Sequence, residues 1–377
     1  MSDAAGHAGK AVNPPLSLYV HFPWCVRKCP YCDFNSHPLK DGLPEQQYLS
    51  FLLADLETEW SHAGQRPFET VFFGGGTPSL FSPDTFAALL STLGHAPHEI
   101  TLEANPGTTE HRDLGACRQA GINRLSLGAQ SFDDDMLTRL GRIHKAADTT
   151  RSFARARDGG FDNINLDIMY GLPGQTVDGA LDDLRHAIAL GVEHISWYEL
   201  TLEPRTVFHR QPPVLPDEDI LLTIETEGRA LLTDAGYERY EVSAWARPGR
   251  RCAHNLNYWH YGDYLGVGAG AHGKLTQGAV VTRSAKASQP RLYMTADRID
   301  TYAAVPAERI PGEFFLNVLR TVDGLEFGAF ELRTGLPWSA VAERWNHGVA
   351  AGLLRSNRIA TTPMGFRYLD SVLQPFL

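Results

Sequence analysis

The sequence has few of the features that mark a secreted, membrane-bound or nucleic-acid-binding protein. Only five of its 377 residues are cysteine, and the first fifteen, MSDAAGHAGKAVNPP, contain no apolar core of signal-peptide length, so we expect no disulfide framework. No window approaches the roughly 18 apolar residues of a membrane helix. The formal net charge of -10 argues against a general nucleic-acid surface, because phosphates are bound by clustered Lys and Arg. These absences predict a cytoplasmic protein with no transmembrane segment and no nucleic-acid partner.

Apolar strand patterns alternate with helical patterns over the first half of the chain. The predicted strands are residues 16–22, 69–76, 99–107, 124–131, 163–171 and 194–202. Near-continuous apolar strands separated by helices are typical of a parallel sheet covered by helices. Because six such units are fewer than the eight of a closed barrel, we expect an α/β fold with a partial (β/α)6 barrel.

Composition divides the chain into four predicted segments. Residues 1–15 read as a disordered lead-in and residues 16–246 as the partial barrel. Residues 247–296, rich in Gly and aromatic residues, read as a functional loop region, and residues 297–377 as a small, mainly helical C-terminal domain. The last of these is expected to end in a short β-hairpin at residues 358–370. In parallel α/β folds the chemistry collects at the carboxyl ends of the strands.

Three cysteines directly follow the first predicted strand. Cys25, Cys29 and Cys32 have the spacing C-x3-C-x2-C within HFPWCVRKCPYCDFN. Thiolates are soft ligands for zinc or for iron–sulfur clusters, and three ligands leave one metal position open for a substrate. The alternatives are a structural zinc loop and three unrelated buried cysteines.

Polar residues end the following strands. The second strand runs into Gly74-Gly75-Gly76-Thr77-Pro78, and Glu103, Gln130 and Asp167 come at the ends of the third, fourth and fifth. A glycine run lets the backbone approach a ligand because no Cβ stands in the way. Each residue taken alone could belong to a turn or be a hydrogen-bonded core group. Their shared position at the carboxyl ends predicts a site.

The cysteine spacing, with Tyr31 before the last cysteine, resembles that of the radical S-adenosylmethionine (SAM) superfamily. The resemblance implies that Cys25, Cys29 and Cys32 hold three irons of a [4Fe-4S] cluster. It also implies that the fourth iron takes the amino and carboxylate groups of SAM, which is then cleaved by one-electron reduction. The protein's part in such chemistry is to position SAM and to exclude water and oxygen.

The segments LEANP, LGAQS, LGRIH and DIMYGLPGQT are similar to those of the anaerobic coproporphyrinogen dehydrogenase family. In that family the equivalent residues contact SAM or a second SAM molecule. The resemblance implies a SAM-binding set made of Tyr19, Tyr31, Gly75, Gly76, Thr77, Glu103, Gln130, Arg142 and Asp167.

One position departs from the enzymes of that family. They carry a fourth cysteine two residues after the last cluster ligand, and here that position is Phe34. A phenyl ring cannot replace the chemistry of a thiolate. The departure puts coproporphyrinogen decarboxylation in doubt and is similar to the pattern of the HemW-type haem chaperones, which are oxygen-independent coproporphyrinogen oxidase-like proteins.

The motif HNLNYW, from His254 to Trp259, also resembles that chaperone family and implies haem binding. A neutral imidazole is a good axial ligand for haem iron, and the rings of Tyr258 and Trp259 could pack on the macrocycle. The alternative is that His254 only forms hydrogen bonds within its loop. His272 and Cys252 are further candidates for the iron ligand.

We therefore expect a haem chaperone of the radical SAM superfamily that binds a [4Fe-4S] cluster, SAM and haem. Its expected partners are acceptor haemoproteins, membrane respiratory enzymes among them, and a low-potential electron donor. The alternative is an oxygen-independent coproporphyrinogen III dehydrogenase that oxidatively decarboxylates propionate side chains. A third interpretation is a structural iron–sulfur protein without turnover. Whether the chain is an enzyme stays open at this point because of Phe34.

Overall fold

A computed structural model describes residues 13–40, 42–109, 113–278 and 280–377. Its main feature is an open, twelve-stranded sheet whose strands, numbered along the chain, are β1 Leu16–Phe22, β2 Thr70–Gly75, β3 Glu99–Ala104, β4 Arg124–Gln130, β5 Ile164–Tyr170, β6 His194–Glu199, β7 Glu238–Arg239, β8 Ala244–Ala246, β9 Asp263–Val267, β10 His272–Gln277, β11 Val280–Ala285 and β12 Thr301–Ala304. The strand order is β12-β11-β10-β9-β1-β2-β3-β4-β5-β6-β8-β7. Within the described residues the two edges do not meet.

Strands β1 to β6 run parallel in the order of the chain. All six predicted strands are present, and the α/β class with a partial, open barrel is confirmed. Their side chains are buried on both faces, as in β1, where six of seven residues are buried. Burial on both faces explains the near-continuous apolar runs. It arises because helices shield the face of a parallel sheet that water would otherwise reach.

Helices lie between many of the strands along the chain. The longer ones are Glu45–His62, Pro83–Ser91, Ala146–Asp158, Val177–Leu190 and Glu218–Asp234, and shorter ones are Pro106–Thr109, Leu114–Gln119, Asp134–Arg139, Val207–Arg210 and Pro290–Tyr293. The bounds of Val177–Leu190 follow from local chemistry. The side chain of Thr176 accepts a hydrogen bond from the Gly179 amide at the N-cap, and Gly191 ends the helix with a φ of 71°.

The region 247–296 was predicted as loops, and the structure corrects this prediction. It contains the helix Ala253–Trp259 and the strands β9, β10 and β11. Strand β9 lies parallel to β1, with Leu16 opposite Asp263, so the parallel part of the sheet has a seventh strand. The glycines of this region mark close contacts rather than loops: a Cβ on Gly266 would lie 2.1 Å from the carbonyl oxygen of His272.

The C-terminal part has a second hydrophobic core. It is built from the helices Ile310–Val318, Gly328–Thr334, Ala342–Ala350, Pro363–Arg367 and Leu369–Leu373, which enclose Phe314, Phe315, Phe330 and Trp345. The predicted β-hairpin at 358–370 is wrong, because Thr362 caps a helix that starts at Pro363. Strand β12 falls inside the predicted domain 297–377 but extends the main sheet.

The predicted lead-in 1–15 lies mostly outside the described residues, which begin at residue 13. Its last residues are ordered, since the carbonyl of Pro14 accepts a hydrogen bond from Arg66 and that of Pro15 accepts one from Asp263. Among the described helices, none combines the length and the apolar character needed to cross a membrane.

Candidate functional site

Two cavities meet at the cysteine loop. The smaller has a volume of about 450 Å³ and lies under the carboxyl ends of the parallel strands; we call it the strand-end cavity. The larger has a volume of about 1290 Å³ and is bordered by the region around β9 to β11; we call it the aromatic cavity. Both are lined by Cys29, Cys32, Phe34, Gly75 and Glu103. A ligand in either cavity therefore lies beside the same loop.

The cysteine loop is fixed at both ends by backbone hydrogen bonds. The short strand Trp24–Cys25 pairs with His37–Pro38, and the Leu39 amide donates to the Cys25 carbonyl over 2.8 Å. Inside the loop, Nζ of Lys28 donates to the carbonyl of Phe34 at 2.9 Å. The three cysteines of the motif are half-buried and form no disulfide. Their thiols are thus held at the mouth of the strand-end cavity on a defined backbone.

The three sulfurs form a thiolate set that a zinc ion or an iron–sulfur cluster can use. Burial raises the pKa of the Cys25 and Cys32 thiols, and a bound metal would displace their protons. The Arg142 guanidinium lies 3.8 Å from Sγ of Cys29. In the described ranges no three His, Cys, Asp or Glu side chains converge on one metal ion. A cluster spreads its thiolates over several irons, so three spaced thiols suit it.

The glycine loop after β2 requires glycine at two positions. Gly75 has a φ of 115°, and a Cβ there would lie 2.6 Å from the ring of His21. A Cβ on Gly76 would lie 2.6 Å from the Trp24 carbonyl oxygen. The Gly75 amide donates to Oε2 of Glu103 over 3.0 Å. The glycines therefore let β2 pass close to β1 and bring bare backbone to the cavity wall.

Two half-buried carboxyl groups, those of Glu103 and Asp167, line the strand-end cavity. Burial, with a further contribution from Asp167, raises the pKa of Glu103 to about 8, against the opposing effect of the Gly75 amide. Burial also raises the pKa of Asp167, although Asn165 and Ser126 donate hydrogen bonds to it at 2.8 and 3.1 Å. A cationic ligand in this cavity would favour the ionised forms of both.

The same cavity wall contains a residue with a strained backbone and polar atoms without a hydrogen-bond partner. Gln130 has a φ of 67°, an uncommon value for a residue with a side chain, and it accepts a hydrogen bond from the Tyr198 hydroxyl at 2.8 Å. Nε of Arg142 and Oδ1 of Asn105 are buried without a hydrogen-bond partner. A ligand in the strand-end cavity would be able to supply a hydrogen-bond partner to each of these two atoms.

The structure brings nearly all the predicted SAM residues together. The strand-end cavity is lined by Tyr31, Gly75, Gly76, Thr77, Glu103, Gln130, Arg142 and Asp167. Tyr19 lies instead in the aromatic cavity, where its hydroxyl is 3.0 Å from Nδ1 of His21. These placements agree with the sequence pattern, while the SAM-binding role of each residue stays a prediction.

The aromatic cavity combines flat rings with positive charge. Its rings include Tyr258, Trp259, Tyr261 and Tyr264, and its cations include Lys28, Arg205, Arg210, Lys274 and Arg283. Two of these cations are paired: Arg283 with Glu313 at 2.7 Å, and Lys274 with Asp263 at 3.0 Å. Burial lowers the pKa of Lys274 to about 8. The lining suits a large, flat, anionic molecule.

His254 does not reach either cavity. It is 1% exposed, and its ring nitrogens lie 2.8 Å from Oγ1 of Thr70 and 3.0 Å from the hydroxyl of Tyr258. Burial lowers its pKa to about 3. The predicted role of His254 as a haem-iron ligand has no support in this geometry, which instead matches the alternative of a hydrogen-bonding histidine. Cys252 is likewise buried and donates to Glu99.

Sequence reasoning missed His21 and Asn35. Nε2 of His21 lies 2.8 Å from the carbonyl of Asn35, and burial lowers the pKa of His21 to about 4. A signal existed for His21, because it is two residues from Tyr19 on a strand and so shares its face. For Asn35 there was none, since its amide donates to the distant carbonyls of Ala269 and Ser288.

Comparisons with known proteins show the family and the fold of the chain. The family model described as Radical SAM superfamily matches residues 19–187. The Heme chaperone HemW of Haemophilus influenzae is 46% identical, with 97% of this chain and 98% of that protein covered. The Heme chaperone HemW of Escherichia coli is 45% identical over the same shares of both chains. The structure of Coproporphyrinogen III oxidase (HemN) from Escherichia coli, a radical SAM enzyme, matches with a TM-score of 0.78 at 23% identity, covering 97% of this chain and 90% of that one.

Proposed function

The chain belongs to the radical SAM superfamily and, within it, to the HemW heme chaperones. From this membership we propose that it binds a [4Fe-4S] cluster, SAM and haem, and that it delivers the haem to acceptor haemoproteins. The observation that carries the proposal is the pair of cavities that share the cysteine loop. One has the size and donors for the cofactors, and the other has the size and lining for a tetrapyrrole.

In this proposal Cys25, Cys29 and Cys32 would hold the cluster, and the chemistry it would supply is one-electron reduction of SAM. The chain's own residues position SAM and shield it from water. The backbone beside Gly75 and the carboxylate of Glu103 offer acceptors to the ammonium group of SAM, and the buried unpaired atom of Arg142 offers a donor to an anionic group. The remaining predicted SAM residues complete the walls of the strand-end cavity.

Haem would lie in the aromatic cavity as cargo. The rings of Tyr258 and Trp259 offer faces for the macrocycle, and the two propionate groups are anions that suit the cationic lining. The cavity of about 1290 Å³ is larger than the pockets that hold most small ligands. Expected partners are acceptor haemoproteins, membrane respiratory enzymes among them, and a low-potential electron donor.

A coproporphyrinogen III dehydrogenase remains the second candidate because the fold matches that of HemN, and the aromatic cavity also has room for a porphyrinogen. The position where those enzymes carry a fourth cysteine is here Phe34, whose side chain is 60% exposed at the mouth of both cavities. A phenyl ring there offers neither a nucleophile nor a ligand.

An anaerobic experiment separates the two functions. The protein with a reconstituted cluster is titrated with haemin, and the haem complex is then mixed with an apo-haemoprotein to follow transfer by its Soret band. In parallel the same protein receives reductant, SAM and coproporphyrinogen III, and products are separated by chromatography. Stoichiometric haem binding with transfer and no porphyrin product supports the chaperone. Protoporphyrinogen formation, or no haem binding at micromolar concentration, overturns it.

A further inference from the structure

Two histidines, His21 and His272, line the aromatic cavity. Both ring nitrogens of His21 are engaged, one by the Tyr19 hydroxyl and the other by the Asn35 carbonyl. The side chain of His272 is exposed, and within the described ranges none of the hydrogen bonds or ion pairs involves its ring. Of the two, His272 is the one that can offer a nitrogen lone pair to a ligand without giving up a hydrogen bond.

The backbone that carries His272 is firmly held. His272 is the first residue of β10 and pairs with Ala285 on β11. On its other side Gly266 lies so close that a Cβ there would be 2.1 Å from the His272 carbonyl oxygen. The adjacent turn is closed by the Lys286 amide, which donates to the Ala271 carbonyl at 2.9 Å. A rigid backbone with an unengaged imidazole is the arrangement expected of a preorganised ligand.

The lining of the aromatic cavity also supplies positive charge for an anionic macrocycle. Arg205 and Arg210 border the same cavity near the helix Val207–Arg210. In the part of the chain that the structure describes, neither guanidinium forms an ion pair, in contrast to Arg283, which is held by Glu313. One nitrogen of Arg210 donates to the Arg205 carbonyl at 3.0 Å, which leaves its other N–H groups for a ligand. Unpaired guanidinium groups are well suited to carboxylates, which they can bind in bidentate fashion.

We propose that His272 is the axial ligand of the haem iron in the aromatic cavity, with the propionate groups directed to Arg205 and Arg210. This inference rests on the proposed haem binding and replaces His254 as the iron ligand. A neutral imidazole nitrogen bonds to haem iron directly. For His254 to do the same, its ring would have to leave Thr70 and Tyr258 and emerge from a site where it is 1% exposed.

The test is a spectroscopic titration of the full chain with ferric haem. The wild type is compared with His272→Ala, His272→Gln and the control His98→Ala, an exposed histidine whose ring pairs with Glu69 outside both cavities. We expect both His272 variants to lose the absorption and electron paramagnetic resonance signals of histidine-ligated haem and at least tenfold in affinity. Added imidazole should restore the signals in His272→Ala, and His98→Ala should match the wild type.

Iron content of the cluster and thermal unfolding are measured on every variant, and we expect both to be unchanged because the His272 side chain is exposed. If the wild type binds haem and His272→Ala keeps its spectrum and affinity, the inference is overturned while the proposed function stands. The same holds if His254→Ala, with its fold and cluster intact, loses the signals and His272→Ala does not. If the wild type binds no haem, the proposed function fails, and the inference with it.

Discussion

The two cavities share a loop but are built in different ways. The strand-end cavity is formed by short motifs, each placed where a parallel strand ends. The aromatic cavity combines β1, the helix Val207–Arg210, β9 to β11 and the start of the C-terminal core. The first depends on local sequence in a regular fold, and the second on contacts between distant segments. Motifs therefore identify a cofactor site more readily than a cargo site. The substitutions below test whether the two cavities have these separate roles.

The largest expected effect comes from removing a thiolate. Cys29→Ala should lose nearly all cluster iron and absorbance, because the loop offers only three thiolates, while binding of haem to the aromatic cavity should persist within a few fold. The control is Cys117→Ala, a buried cysteine on the helix Leu114–Gln119 that lines neither cavity. Iron analysis and haem titration of both variants are the measurements. Full iron content in Cys29→Ala would contradict the ligand assignment.

The next effect concerns the glycine loop. In Gly75→Ala a Cβ would meet the ring of His21 at 2.6 Å, in addition to the strain of a φ of 115°. We expect SAM affinity, measured by calorimetry on the reconstituted protein, to fall at least tenfold.

Gly94→Ala is the matched control for this prediction, since Gly94 has a φ of 67° with no atom within 4 Å of an added Cβ. It should cost about 1–2 kcal/mol of stability from backbone strain alone and leave SAM binding unchanged. Equal SAM affinities in the two variants would argue against a role for the glycine loop in the strand-end cavity.

A pH effect on stability should report on Glu103, the carboxyl group that lines both cavities. The pKa of Glu103 is raised from 4.5 to about 8 in the folded chain, so the folded state holds a proton that the unfolded state has released. Its contribution to stability is complete below about pH 4.5 and is lost as the pH rises towards 8. Denaturant unfolding of the apo-protein from pH 5 to 8 should show a shallower decline for Glu103→Gln than for the wild type.

Glu57→Gln, an exposed position on the helix Glu45–His62, serves as the control and should follow the wild-type curve. Parallel curves for the wild type and Glu103→Gln would show that this carboxyl does not titrate in this range.

The smallest effect on stability is expected at Phe34, which lines both cavities. Phe34 is 60% exposed, so Phe34→Ala should change the free energy of unfolding by no more than about 0.5 kcal/mol and leave cluster iron intact. Denaturant unfolding and iron analysis check this. A loss of several kcal/mol would mean that the phenyl ring packs against the loop in solution and that the mouth is narrower than the structure has it.

The sequence predicted the fold class and the location of the strand-end site well, because both follow from periodicity and strand-end position. The six strands, and the residues from Gly75 to Asp167 at the sheet edge, can be predicted without knowing any contact between distant segments. Strand β9 was missed because Gly266 and Tyr264 resemble loop residues until β1 is placed beside them. That His254 is buried and His272 exposed could not be predicted, because a motif does not report burial.

The pairing of β1 with β9 has a consequence for the order of events during synthesis. Strand β1 emerges among the first residues, but its partner on one side, Asp263–Val267, is made late. At about 5–20 residues per second, roughly 10–50 seconds pass before that edge of β1 is covered. The cysteine loop follows β1 directly, and its Asn35 is tied to Ala269 and Ser288. We therefore expect the three thiols to stay accessible throughout this interval, so that iron can enter, or oxygen attack, before the nascent chain closes around them.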